Sequence, residues 1–293
     1  MATQREILKR INSVSSTKKI TKTMEMVSTA KMKKMQDRLT SSTPYAEKTD
    51  MIISHLMESG IMNIDEPLMK ERSGSNKVLL ISISGNRGLC GGYNTNVINN
   101  TINFKEKLET EEGKEVLLYA IGNKGINYFR FINQLIYKSI PNHEDKLVFN
   151  DASDMGLEMI NQFLNKEIDE VYISYTAIIT SSTQKPAIIK LLPISFSNDT
   201  DKNNIHSKNI EYIFEPGPDK VLSSLLPLYI KVKIYNSLLE SSFSEQFARR
   251  VAMKNATDAA TDIVKGLTIK YNRARQAKIT NEIAEIVGGA AAL

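Results

Sequence analysis

Ile20-Thr21-Lys22-Thr23-Met24-Glu25-Met26-Val27, near the start of this 293-residue chain, and a long counterpart over residues 228–287 decide how the rest is organised. Both read as parts of very long amphipathic helices that bracket a middle of different pattern. The two ends must then meet in space, which suggests a shaft with a head and points to mechanics before catalysis. Between residues 7 and 56, apolar side chains recur at Ile7, Ile11 and Val14, then Ile20, Met24, Val27 and Ala30, then Met35 and Leu39, with Thr17 bridging the gap. Spacing by threes and fours is helical. Pro44 predicts a kink or local loosening without requiring an end. Fifty helical residues would reach about 75 Å, far beyond a typical globular helix, so a partner helix is needed.

That partner follows Glu215-Pro216-Gly217-Pro218, a strong turn signal. A short helix that Pro227 ends or bends is expected first, then a long one. Tyr235, Leu238, Ser242, Val251, Ala256, Ala260, Ile263, Leu267, Ala274, Ile279, Ile283 and Ile286 make its seam, whose small residues let two helices approach closely. Antiparallel pairing of the terminal helices is the simplest arrangement; a helix pair inside a larger bundle has the same periodicity.

The middle changes period. Residues 78–83, 116–120, 171–175 and 187–192 are apolar runs of strand length, and helical patterns occupy 94–108, 124–131 and 152–165. Near-continuous apolar strands alternating with helices imply a mainly parallel sheet covered on both faces, a Rossmann-like α/β domain. Residues 197–209 are polar, as in a surface loop. The expected segments are an N-terminal coiled-coil helix (1–60), an α/β domain (75–197) and C-terminal coiled-coil helices (210–293).

With 41% hydrophobic residues the chain has enough apolar material for a core. One cysteine, Cys90, makes no internal disulfide, and no run approaches the roughly 18 apolar residues of a membrane span. The start, MATQREILKRI, has neither the apolar core of a secretory signal nor the acid-poor character of a transit peptide. The first forty residues hold ten basic side chains against three acidic ones, a net of +7. Such a face is a solvated helix surface, a match for an enclosing sleeve with acidic loops, or a nucleic-acid-binding helix.

Gly85-Asn86-Arg87-Gly88-Leu89-Cys90-Gly91-Gly92 joins an expected strand to an expected helix, where α/β folds hold phosphates. The spacing is neither G-x-G-x-x-G nor G-x-x-x-x-G-K-[ST]. A tight turn, or close contact with another subunit, is the better reading, and Arg87 could still meet an anion. His55, His143 and His206 are scattered and assemble neither a zinc site nor a nucleophile pair. Near the end, Arg275 and Gln276 stand beside an Ala/Ile stripe, where a guanidinium fork can grip a carboxylate.

Three segments resemble the gamma subunits of F-type ATP synthases, the central rotor stalk of the F1 part. They are Lys19 to Val27 with Lys31-Met32, Asn86-Arg87-Gly88-Leu89-Cys90-Gly91-Gly92-Tyr93-Asn94, and the end from Ala252-Met253-Lys254 through Ala274-Arg275-Gln276-Ala277 to Glu285-Ile286-Val287. Phe247 and Arg250 are bulkier than that pattern expects. The resemblance implies an antiparallel coiled coil inside a ring of alpha and beta subunits and an α/β foot against the epsilon subunit and the membrane c-ring. It implies no catalytic residue, cofactor, metal or nucleic acid, and a membrane met only through the complex, peripherally, on the cytoplasmic face of a bacterial inner membrane. Met24, Arg275 and Gln276 match positions that contact beta; Arg87, Gly88, Cys90, Gly91 and Gly92 belong to the foot. The rival readings are a nucleotide-binding α/β enzyme and a basic coiled-coil protein that binds nucleic acid.

Overall fold

Residues 78–83 are buried at every position, the pattern of a strand covered on both faces. They belong to β1 (Lys77–Ile83) in a computed structural model that describes residues 4–58, 66–72, 74, 76–141, 149–180, 183–195 and 217–291. The other elements are α1 (Gln4–Glu58), α2 (Tyr93–Thr110), β2 (Glu115–Ile121), α3 (Asn123–Phe131), β3 (Ile136–Ile140), α4 (Phe149–Leu164), β4 (Glu170–Thr180), β5 (Thr183–Leu192) and α5 (Pro218–Ala291). The chain divides into two units, Lys31–Gln246 and Met1–Ala30 with Phe247–Leu293. His143 and His206 lie outside the described residues, as does the expected loop over 197–209; the side chain of His55 does too.

In the larger unit the sheet order is β3-β2-β1-β4-β5, with every pairing parallel except β4 with β5. The expected mainly parallel sheet is present. β3 was not anticipated: it is an edge strand, at most half-buried along its length, and so lacks a continuous apolar run. α2 and α3 cover one face, where Val97, Ile98, Ile126 and Phe129 pack on Leu118 and Ala120. The other face takes α4 and the first part of α5. There Met155, Met159 and Phe163, with Leu222, Leu226, Ile230, Ile234 and Leu238, pack against Leu79, Ile81, Val171 and Ile173.

Pro227 does not end or divide the C-terminal helix: α5 runs unbroken from Pro218 to Ala291. The missing N–H removes one helical hydrogen bond, a cost of about 3 kcal/mol. Leu222, Leu226 and Ile230, on either side of it, are each almost wholly buried on the sheet. At about 1.5–3 kcal/mol per buried aliphatic side chain, packing outweighs the lost bond. α1 likewise continues through Pro44.

In the smaller unit the inward positions of α1 keep one heptad phase: Ile7, Ile11, Val14, Lys18, Thr21, Glu25 and Ser28. On α5 they are Met253, Thr257, Ala260, Val264, Leu267, Tyr271 and Ala274. The two sets mesh in antiparallel register around buried Thr21 and Thr257, whose hydroxyls are 2.8 Å apart. The expected seam is met at Ile7, Ile11, Val14, Ala260, Leu267 and Ala274 but is out of phase at other positions. Ile20 and Val27 are 60% and 51% exposed, Ala30 is exposed, and Val251 and Ile263 on α5 also face outward. Stepping from Val14 to Ile20 breaks the heptad, whereas 14-18-21 keeps it. Small hydroxyl residues that bond to each other and let backbones approach serve this seam better than the nearest large apolar side chain.

At the start of β4, Glu170 is 8% exposed and lies 2.7 Å from Lys114 Nζ and 3.2 Å from Lys190 Nζ. Burial pushes its carboxyl up, but the hydrogen bonds and charges of the two lysines outweigh burial and hold it below the usual carboxylate range. The ionised form therefore favours folding above the ordinary carboxylate pKa, a contribution lost as pH falls through the lowered folded-state value. Glu170→Gln is expected to cost about 2 kcal/mol at neutral pH. Thermal melts across pH should show its deficit against the unaltered chain shrinking below about pH 4.

Candidate functional site

The glycine-rich turn leaves β1 at Ser84, whose N–H and Oγ both donate to the Ile121 carbonyl, at 2.8 and 3.0 Å. From there the turn caps α3. Gly125 N–H donates to Ser84 Oγ at 2.9 Å, Lys124 N–H to the Gly85 carbonyl at 3.0 Å, and Asn123 N–H to Asn86 Oδ1 at 3.1 Å. These are the first three donors of α3, which have no partner within the helix itself. The chain approaches so closely here that a Cβ on Gly122 would stand 2.0 Å from the Ser84 carbonyl oxygen, and Gly122 has φ +95°, so only glycine fits.

Asn94 knits the turn from inside. Its Oδ1 accepts from Gly85 N–H at 2.8 Å and its Nδ2 donates to the Arg87 carbonyl at 3.2 Å. From above, the carboxyl of Glu245 on α5 packs onto Gly85, 2.8–3.0 Å from where a Cβ would stand. Glu245 is 1% exposed. The group packed on this turn is thus the chain's own carboxyl.

The expected foot residues divide accordingly. Arg87, Gly91 and Gly92 are exposed, and Gly88 is half-buried against the Lys124 side chain. Cys90 is only 2% exposed, 3.1 Å from Asn94 Nδ2, so its sulfur faces the turn's interior. Leu89, 63% exposed and held at φ +63°, is the side chain the turn presents outward, and the sequence reading passed over it. It also missed Glu245; the signal available was a polar run, Glu240 to Glu245, inside an otherwise amphipathic helix.

The expected beta-contact residues lie in the smaller unit. Met24 is half-buried beside the seam, next to exposed Met26 and the Lys22–Glu25 ion pair at 3.1 Å. Arg275 and Gln276 follow Ala274, the last inward position of α5, and every side chain over 275–290 is exposed. Ile279, Ile283, Ile286 and Val287 within it form an apolar stripe without cover among the described residues. Met24 and the Arg275-Gln276 pair are thus placed apart along the helices. Among the described residues no group of His, Cys, Asp and Glu is arranged to hold a metal ion, and no helix is long and apolar enough to cross a membrane.

A family model described as ATP synthase matches residues 3–293. The ATP synthase gamma chain of Leptospira biflexa is 43% identical over 293 residues, covering both chains completely, and that of Glaesserella parasuis is 40% identical with the same coverage. A chain from the Euglena gracilis mitochondrial ATP synthase assembly of OSCP, F1 and c-ring shares the fold with a TM-score of 0.65 at 19% identity, covering 99% of this chain and 94% of that one. A chain from the central stalk and c-ring of the Tetrahymena thermophila enzyme gives 0.56 at 23%, covering 81% and 99%.

Burial of Cys90 has a direct consequence in solution. The native chain by itself is expected to react with a thiol reagent far more slowly than the same chain in denaturant. Equal labelling rates in the two conditions would show that the turn does not enclose the sulfur.

Proposed function

This chain belongs to the ATP synthase gamma chain family, and on that premise we propose that it is the central rotor stalk of an F-type ATP synthase. Identity of 43% along every residue of a curated gamma chain is the observation that carries this reading. Residues 1–60 and 210–293 form the stalk and 75–197 the foot. The stalk stands within a ring of alpha and beta subunits, and the foot meets the epsilon subunit and the c-ring, peripheral to the cytoplasmic face of a bacterial inner membrane. Ion flow turns the ring and this chain with it, and the asymmetric stalk takes each beta subunit in turn through states of differing nucleotide affinity. Coupling of this kind is reciprocal, so ATP hydrolysis drives the same rotation backwards. The chain itself makes no bond.

Two observations support the contact assignments. The uncovered side chains over 275–290, with their apolar stripe, suit insertion into a protein sleeve, and Arg275 and Gln276 stand where the helix pair ends and a single helix continues. We assign Arg275, Gln276 and Met24 to the beta contact. At the foot the turn over Arg87, Gly88, Gly91 and Gly92 makes the contact, with Cys90 shaping it from within. Purification from native membranes tests the whole reading: the chain should co-migrate with the other F1 polypeptides. A free monomer that turns over nucleotide would overturn it.

Arg275→Ala is expected to lower multi-site ATP hydrolysis by the assembled complex without preventing assembly. A charge-assisted pair contributes about 1.5–3 kcal/mol, small against an apolar seam spread along the helices. Arg275→Lys keeps the charge but not the bidentate fork and should fall between. Unaltered turnover in both variants would show that Arg275 grips no carboxylate.

A further inference from the structure

The crevice outside the carboxyl ends of β1 and β4, where the strand order reverses, is the place where an open α/β sheet holds its ligands. In this chain a polar run of α5, Glu240-Ser241-Ser242-Phe243-Ser244-Glu245, lies there instead. Ser241 Oγ is 2.7 Å from the Tyr93 hydroxyl at the start of α2, and 3.5 Å from the Ile83 carbonyl at the end of β1. Ser244 Oγ donates to the Thr176 carbonyl of β4 at 3.2 Å. The Glu240 carboxylate accepts from Ile178 N–H at 3.1 Å, at an irregularity in the β4–β5 ladder. Glu245 packs on Gly85, and Tyr93, Ser241, Ser244 and Glu245 are all buried.

The preceding stretch of α5 meets the sheet face through Leu222, Leu226, Ile230, Ile234 and Leu238, with Leu225, Tyr229 and Tyr235 partly buried beside them, while Lys233 and Asn236 bond to Asp50 and Ser42 of α1. Apolar packing of that kind sets how deep the helix sits and which face it buries, but being non-directional it leaves the fine angular setting to directional contacts. Hydrogen bonds weaken steeply once donor and acceptor leave alignment. The polar run therefore supplies the angular and axial setting that the apolar stripe does not. It ties α5 to both central strands and to α2 at once.

We propose that this run is a socket, with Glu240, Ser241 and Ser244 as positioning residues that hold the rotational setting of α5 on the sheet, so that torque applied to the α/β foot enters α5 without slip. The socket rests on the central-stalk reading. It places the mechanical joint at residues 240–245 and at Tyr93, Thr176 and Ile178, with Tyr93 directly following the foot-contact turn at Gly92.

The test uses complete ATP synthase in inverted membrane vesicles, with ATP hydrolysis and ATP-driven ion uptake measured on the same preparation. The Ser241→Ala, Ser244→Ala double variant removes both hydroxyls while leaving the apolar stripe and raising helix propensity. It is expected to assemble and to hydrolyse ATP with a loss of ion uptake per ATP consumed. Glu240→Ala should show the same loss, and Glu240→Gln, which keeps a carbonyl oxygen for Ile178 N–H, should recover uptake. The control variant is Ser223→Ala, Ser224→Ala, on the exposed face of the same helix, and it should match the unaltered enzyme. Unaltered uptake per ATP in both the double variant and Glu240→Ala overturns the socket, as does a Glu240→Gln enzyme no better than Glu240→Ala. A double variant that fails to assemble assigns these hydroxyls to folding and also overturns their positioning role. An unaltered chain missing from the purified complex sinks the central-stalk reading itself, an outcome distinct from all of these.

Discussion

Burial of one stripe of α5, from Leu222 through Leu238, against the face of the sheet that carries Leu79, Ile81, Val171 and Ile173 is the interaction on which the structure depends. It closes the larger unit's core and fixes the beginning of a 74-residue helix whose later turns belong to the smaller unit. Most of a helix's stability in a protein comes from packing an amphipathic face against a partner surface. The sheet supplies it first, then α1, whose heptad positions mesh with Met253 through Ala274. Beyond Ala274 no described residue supplies one, and that bare stretch carries Arg275 and Gln276, assigned to a partner protein.

The same helix decides how the crevice of the α/β domain is filled. A parallel sheet with a glycine-rich turn after its first strand has the outline of a phosphate site, and sequence spacing alone weakened that reading without removing it. The coordinates show how this turn is used within the chain. The first three donors of α3 are spent on Ser84, Gly85 and Asn86, Asn94 holds the turn from inside, and Glu245 brings a carboxylate onto Gly85. A fold that elsewhere receives ligands has closed its crevice with its own chain, which suits a part that must transmit force.

Errors in reading the sequence share a cause. The seam of α1 was traced through Ile20 and Val27 because they are large and apolar, yet Thr21 and Ser28 occupy it, since a close antiparallel pair selects by phase and size. Pro227 reads as a break because the local cost of a missing N–H is visible in sequence and the compensating burial of Leu222, Leu226 and Ile230 is not. β3 escaped notice because an edge strand needs only one partly covered face. Cys90 was grouped with the exposed foot residues because position in a turn says nothing of which way a side chain points.

By itself the sequence determined the element types, the mainly parallel sheet, the meeting of the chain's two ends and the family, because periodicity and short specific motifs are local properties carried by neighbouring residues. It also placed Arg275 and Gln276 near the end of the long helix. Only the tertiary structure decided the phase of the helical seam, the continuity of α5, the inward turn of Cys90 and the filling of the crevice by Glu240 to Glu245. Each of these depends on contacts between residues far apart in the chain, such as Tyr93 with Ser241 or Thr21 with Thr257, where burial and hydrogen bonding across the fold outweigh any local preference.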